Sequence, residues 1–494
     1  MSEKQPIEID PGSVDVDLSD VKRKSITGVV ALISRTFLIY LVSIWATFIL
    51  TVLLSPADYG TFFLVSAVVN FLNYFSDVGL AAALIQKKDK LTDGDLSSTF
   101  TVQQLLVGSI VVGIFLASPW IKSHYQLDQA GVNLLWALTI SLFMSSLKTI
   151  PTVLLEKDLK FDKLVIPQIL ESLTYNLVAV YLAYKGMGVS SFTYAVLLRG
   201  LVGLVAIYVI KPWRLKIGLN IESIKHLLSF GLPYQLNTFL AMIKDDGMTV
   251  YLGSAIGQAG LGYIGWANKW VGLPLRFFLD NVNKVAFPAY SKVQGNIEKL
   301  RSGTEKTLYF MAVVTFPVFV SMGTSAGPMI DIIPRYEKWT PALIPLYLYL
   351  INGAWASIST PLTNLLNAIG KIRFTFWLMV MWTVLTWALM PFMASRFGFV
   401  GVAYSAAIIA FTSIVPMVLV KRAINISYTK SLRTPVVASI VMIVFMLLTQ
   451  HWMRNIFLVL GLNTVGMGIY ALTVFILDRE LLVSEFKFIT AKTK

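Results

Sequence analysis

From Ser25 to Leu477 one apolar stretch follows another, each close to the roughly 20 residues that cross a 30 Å hydrocarbon core at about 1.5 Å per residue. Charged residues make up only 14% of the chain, against roughly 25% in soluble domains, so a soluble fold is disfavoured before any motif is read. Breaks at charged, Gly and Pro positions divide the chain into spans at about 26–54, 59–84, 97–118, 130–154, 165–184, 190–210, 226–252, 258–290, 305–325, 341–366, 373–394, 399–420, 434–450 and 455–477. The expected fold is an all-α integral membrane protein of about fourteen transmembrane helices.

Charge placement orients those spans. Of 41 Lys and Arg, 28 fall in the two tails and in the loops on one side, and 6 on the other: Lys122, Lys185, Arg335, Lys338, Arg396 and Arg454. The positive-inside rule then places both termini in the cytoplasm, and the +14 net charge needs no nucleic acid. The N-terminal tail runs into an apolar stretch too long for a signal h-region and without a small-residue cleavage site, which reads as a retained first span. There is no cysteine, hence no disulfide, thiolate metal site or lipidated cysteine.

A repeat recurs about 200 residues apart. Leu54-Ser-Pro-Ala-Asp-Tyr-Gly60-Thr-Phe62 follows the first span, and Ile256-Gly-Gln-Ala-Gly-Leu-Gly262-Tyr-Ile264 follows the seventh. Leu154-Leu155 with Lys160 matches Leu365-Leu366 with Lys371, and Gly188 to Tyr194 loosely matches Gly398 to Tyr404. Six spans separate the copies, so the halves have parallel topology about an axis near the membrane normal. The expected organisation is a polar tail (1–24), an N-terminal six-helix lobe (25–210), an inter-lobe linker (211–225), a C-terminal six-helix lobe (226–421), helices 13 and 14 (422–478) and a cytoplasmic tail (479–494).

Seven basic residues remain inside spans: Arg35, Lys148, Arg199, Lys244, Lys269, Arg276 and Lys284. At about 2.5–3.5 kcal/mol for each charge at the bilayer centre, they must mostly face water or protein. Lys269, Arg276, Asp280 and Lys284 share one face of span 8; Ser66, Asn70, Asn73 and Asp77 share one face of span 2. With Asn237, Asn268, Asn352 and Thr363 they outline a polar, net cationic cavity between the halves. Arg199, Lys269 and Arg276 lie nearest mid-membrane and are the leading candidates for the substrate path, followed by Lys244, Arg35 and Lys148. Lys284 is placed to snorkel at its span end, Lys244 to neutralise Asp245 or Asp246, and Arg276 to pair with Asp280. Asp77, Asp245, Asp246 and Asp280 serve either ion coupling or charge pairing, and Pro274 marks a hinge or a static kink in span 8. Guanidinium pairs bidentately with phosphate, so such a cavity suits an anion; Trp266, Trp270 and Trp355 suit sugar rings.

Four segments carry a family resemblance: LLSPADYGTFFLVSAVVNFLNYFSDVGLAAALIQ (53–86), LLEKDLKFDKL (154–164), VAFPAYSKVQGNIEKLR (285–301) and YEKWTPALIPL (336–346). In that order they resemble Wzx-type polysaccharide exporters of the multidrug/oligosaccharidyl-lipid/polysaccharide exporter superfamily. The resemblance implies two six-helix lobes around a central cavity, two further C-terminal helices, and flipping of an isoprenoid-pyrophosphate-linked oligosaccharide in a bacterial or archaeal plasma membrane. It also implies work beside other polysaccharide assembly proteins, with the prenyl tail in membrane lipid; nothing in the sequence demands more than a monomer. A cation-coupled multidrug antiporter would favour an acidic cavity. A membrane glycosyltransferase or polymerase would need a long outer loop, and the longest, around Ser325 to Thr340, is short. Asp15-Val-Asp17 spells a metal-binding DxD, but in the tail; with no phosphate-binding loop and three scattered histidines, no catalytic residue, metal or cofactor is expected.

Overall fold

Two capping boxes fix how the chain enters its first long helices. The computed structural model describes residues 39–87 and 89–480, side chains at 226 and 229–237 excepted, and is helical between its loops. α1 (Ile39–Leu53) ends where Ser55 caps α2 (Pro56–Asn73). The Ser55 hydroxyl accepts from the Asp58 amide, Asp58 returns a bond to the Ser55 amide at 2.8 Å, and Pro56 needs no partner at the first helical position. A 3-10 turn (Tyr74–Ser76) and Gly79, at φ 79°, bend the chain by 49° into α3 (Leu80–Gln86). Thr92 and Asp95 repeat the capping box at α4 (Asp93–His124). α5 (Gln129–Leu147) is interrupted at Lys148 and continues as α6 (Thr149–Lys157); α7 (Phe161–Tyr184) and α8 (Ser190–Ile210) complete this half.

An extended strap then lies along α4: the Asn220 amide donates to Ser98 Oγ at 2.8 Å, and Gly218 to Thr101 Oγ1 at 3.0 Å. The second half holds α9 (Ile221–Met242), a π-turn (Ile243–Gly247), α10 (Met248–Lys292) and α11 (Ile297–Ile332). A 3-10 turn (Glu337–Ala342) leads to α12 (Leu343–Ala368), α13 (Ile372–Phe411) and α14 (Ile414–Ile424). α15 (Tyr428–Thr449) and α16 (Ile456–Leu477) lie against α11, with Met442, Met446 and Tyr470 packed around Tyr309.

Nine described helices are long and apolar enough to cross a membrane, ten with the bent α2–α3 pair. α10 and α13 each hold one residue with non-helical backbone, Gly257 (φ 69°) and Gly398 (φ 59°). Dividing them there and joining the pieces that continue one another gives fourteen helical segments among the described residues, in the order of the spans read from the sequence. Because successive passes run in opposite directions, the Lys- and Arg-rich loops fall at one end of the bundle, the basic end, where Lys157 reaches the Lys87 and Asp89 carbonyls and Lys216 pairs with Asp93.

The halves meet most closely where α2 crosses α10. A Cβ on Gly60 would lie 1.6 Å from the Gln258 carbonyl oxygen, and one on Gly262 would lie 1.8 Å from that of Pro56. Gly60 and Gly262 stand 202 residues apart, as do Pro56 and Gln258. The contact is therefore reciprocal, as a pseudo-twofold axis between the halves requires. Gly188 and Gly398, the loosest match in the repeat, also share positive φ (54° and 59°).

Substituting either crossing glycine should force the backbones apart, whereas Gly113 on α4 has nothing within 4 Å of its Cβ position. Gly60→Ala and Gly262→Ala are expected to lose about 1–3 kcal/mol or more, and Gly113→Ala to gain about 0.5–1 kcal/mol. Unfolding of the detergent-solubilised protein measures both; equal effects at the three sites would refute the crossing.

Candidate functional site

Between the halves lies a cavity of about 1050 Å³. Tyr40 and Ser43 reach it from α1, Ser66 and Asn70 from α2, and Lys244, Asp245 and Asp246 from the π-turn. Asn268, Lys269 and Arg276 come from α10, Asn352, Ser359 and Thr360 from α12, and Trp382 and Thr386 from α13. The seven-residue step from Lys269 to Arg276 is two helical turns, which keeps both on one face. The extra residue of the π-turn brings three consecutive charged residues to the same wall. Trp387 Nε1 ties that turn to α13 by donating to the Ile243 carbonyl at 3.1 Å.

The charges do not cancel. Lys244 Nζ stands 2.5 Å from Asp245, and Asp246 lies beside the Asn70 amide. Among the described residues, neither Lys269 nor Arg276 has a hydrogen bond or an ion pair within 4.0 Å. Among the described residues three cations and two carboxylates line the space, leaving it net cationic with two positive side chains unpartnered.

Several expected cavity residues stand elsewhere. Lys148 Nζ contacts Glu171 Oε1 at 2.5 Å, and Arg199 Nε lies 3.8 Å from Glu171 Oε2, with its guanidinium over the Tyr175 ring. This group joins α5, α7 and α8 within the first half, outside the cavity lining. Its carboxylate fits against bare backbone, since a Cβ on Gly203 would meet Glu171 Oε1 at 1.8 Å. Asp77 accepts from the Ala81 amide at 3.1 Å and so caps α3. Asn73 accepts from Ser76 Oγ, and Thr363 donates to the Thr360 carbonyl. Asp280 is exposed, outside the lining, and within 4.0 Å forms no ion pair with Arg276. α10 runs on through Pro274, and its non-helical residue is Gly257. Arg35 and the Asn237 side chain lie outside the described residues. Tyr40, Ser43, Trp382 and Thr386 were not anticipated; the four-residue step from Trp382 to Thr386 in an apolar helix was the available sign.

The end of the cavity away from the basic loops is sealed by contacts between halves. Trp339 Nε1 donates to the Thr51 carbonyl at 2.8 Å and Lys338 Nζ to the Val52 carbonyl at 2.7 Å. The Tyr336 hydroxyl bonds Thr51 Oγ1 at 3.0 Å. Those carbonyls belong to the last turn of α1, where a helix leaves acceptors without internal partners. Trp339 stacks on Trp266 at 5.3 Å and meets Tyr59 edge-on. Thr61 Oγ1 donates to Gln258 Oε1 at 3.0 Å, beside the glycine crossing.

Residues 49–343 match the family described as "Polysaccharide biosynthesis protein". The chain is 25% identical over 452 residues to an uncharacterized membrane protein in the cps region of Klebsiella pneumoniae, covering 88% of this chain and 91% of that one. It is 25% identical over 311 residues to the teichuronic acid biosynthesis protein TuaB of Bacillus subtilis (strain 168), 62% of this chain and 63% of TuaB. The fold is similar to that of the lipid II flippase MurJ in an inward closed conformation, with TM-score 0.74 and 17% identity over 91% of this chain and 99% of that one. An inward-facing multidrug resistance MATE family transporter gives TM-score 0.63 and 16% identity over 78% and 94%. Both likenesses show a two-lobed, all-α membrane fold.

Removing the Glu171 charge strands Lys148 in the first half. Glu171→Gln and Lys148→Met are each expected to destabilise by about 1–3 kcal/mol, and the double variant by less than their sum. Unfolding in detergent measures the cycle, and simple additivity would show that the pair contributes nothing.

Proposed function

This chain belongs to the polysaccharide biosynthesis protein family, among the Wzx-like exporters, and from that premise we propose that it flips an isoprenoid-pyrophosphate-linked oligosaccharide across a bacterial or archaeal plasma membrane. The observation that carries this reading is the pair of cations, Lys269 and Arg276, without a partner among the described residues, in a cavity shared by two symmetry-related halves. A guanidinium takes two phosphate oxygens in parallel, and a lysine ammonium adds a mobile point charge, so the pair suits a pyrophosphate. Asn70, Asn268, Ser359, Thr360 and Thr386 supply hydrogen-bonding groups for sugar hydroxyls. The prenyl chain stays in lipid, where its burial needs no protein pocket.

Direction follows from charge. The basic end lies in the cytoplasm with both termini, so the sealed end faces outward. The headgroup enters from the cytoplasmic leaflet, settles on Lys269 and Arg276, and leaves when the α2–α10 crossing and the α1 latch part. One copy encloses the whole path, so a monomer suffices, and the outer leaflet is where further polysaccharide assembly proteins would take the product. Cation-coupled drug export fits less well, because cations outnumber carboxylates in the cavity.

Each cavity cation contributes charge-assisted bonds, so Lys269→Ala and Arg276→Ala should each slow transport by about ten- to a hundredfold, the loss of roughly 1.5–3 kcal/mol. Arg199→Ala should stay within about threefold of wild type, because Arg199 stands outside the lining. Uptake of a lipid-linked oligosaccharide into proteoliposomes is the measurement, and an equal loss in all three variants would overturn the assignment. The cysteine-free chain permits a second check: Thr61→Cys with Gln258→Cys, cross-linked through a short bis(methanethiosulfonate), which forms reductant-cleavable disulfides with release of sulfinate, should halt transport until reductant is added. Undiminished transport by the cross-linked protein would rule out opening at this seal.

A further inference from the structure

The outer seal contains polar groups that closure alone does not explain. Trp266 is only 4% exposed, yet its indole N–H and that of Trp270 make no hydrogen bond of good geometry: both converge loosely on the one Tyr336 hydroxyl, which is already bonded to Thr51 Oγ1. Buried indole N–H groups ordinarily find an acceptor, and each left without one is unfavourable. Trp266, Trp270, Tyr336, Lys338 and Trp339 all belong to the second half. The oxygens bonded to Tyr336, Lys338 and Trp339, namely Thr51 Oγ1 and the Val52 and Thr51 carbonyls, belong to the first. Parting the halves would uncover, on one lobe, flat indole faces beside several N–H and O–H donors and an ammonium.

We infer that this aromatic cluster is a second carbohydrate subsite, formed as the seal opens, in which sugar hydroxyl oxygens replace the α1 oxygens. Sugars present what the cluster lacks: hydroxyl oxygens for the N–H groups and C–H faces for the rings. The position fits the flippase reading on which the inference rests. Trp266 lies one turn from Lys269 toward the seal and ten residues from Arg276, about 15 Å along the helix at 1.5 Å per residue. A pyrophosphate held on the two cations leaves its glycan reaching toward the tryptophans. Sugars beyond the first are the ones that meet them.

The test uses two probes in proteoliposomes: a polyprenyl pyrophosphate carrying a labelled pentasaccharide, and the same lipid carrying one labelled sugar. Trp266→Phe and Trp270→Phe keep a ring and remove an N–H that bonds no α1 oxygen, so the closed seal keeps its bonds. Each should slow the pentasaccharide lipid by about three- to tenfold, as the loss of one neutral hydrogen bond does, and leave the single-sugar lipid within about twofold. Trp270→Phe, at a less buried position, stands in should Trp266→Phe fail to fold. Equal slowing of both lipids would assign the residues to the seal alone and overturn the subsite, as would no slowing of either. A wild type that moves neither lipid would overturn the flippase reading and the subsite together, whereas undiscriminating variants of an active wild type remove only the subsite.

Discussion

Everything about the cavity depends on two glycines. In lipid there is no hydrophobic force between helices, so association rests on close packing and hydrogen bonds, and small residues let backbones approach. Gly60 and Gly262 take this to its limit, each facing a carbonyl of the opposite helix where no Cβ fits. That crossing sets the separation of α2 and α10, and with it the distance across which Asn70 faces Lys269 and Arg276. It also brings the end of α1 under Trp339 and Lys338, whose donors satisfy carbonyls the helix cannot. The seal is therefore made of contacts that can be exchanged without rupturing either lobe.

Intramembrane charge divides into two kinds here. Lys148 and Glu171 pair within one lobe, with Arg199 alongside, and so reduce the roughly 2.5–3.5 kcal/mol penalty of each central charge. Lys269 and Arg276 face a cavity without a partner among the described residues. A charge in a span thus points to the substrate path only when its own lobe does not neutralise it. By that criterion the first half holds structural charge, and it is the charge of α10 on which the proposed substrate path rests.

The same criterion explains what the sequence could disclose. Span positions were legible because apolar length and the 1.5 Å rise act locally; Gly60 and Gly262 were legible as a repeat in register, but not as the place where the halves cross. Lys269 and Arg276 were legible as one face of one helix. Lys148 and Arg199 were not, because periodicity names a face without naming the helix that covers it, and Glu171 covers theirs. Pro274 drew attention as a helix breaker, yet in membranes neighbouring helices re-satisfy the freed groups and α10 continues. The break lies at Gly257, opposite the Ser55 cap in the repeat, where positive φ suits only a residue without a Cβ. The π-turn left no sequence mark beyond its unusual run of charges, Lys244-Asp245-Asp246.

Alternating access needs more than a binding site, because a ligand moves an equilibrium only by its differential affinity for the two states. In the proposed cycle the cavity cations are present whether the seal is open or closed, so pyrophosphate binding to them shifts little by itself. The seal supplies the difference. Closed, its donors are taken up by the α1 oxygens or left without an acceptor in good geometry; open, they are free for the glycan. A headgroup bearing several sugars then favours the outward-open state more than a bare pyrophosphate does, and its departure returns the donors of Trp339 and Lys338 to Thr51 and Val52. Recognition of the sugar and opening of the path become one event, located where the two lobes touch.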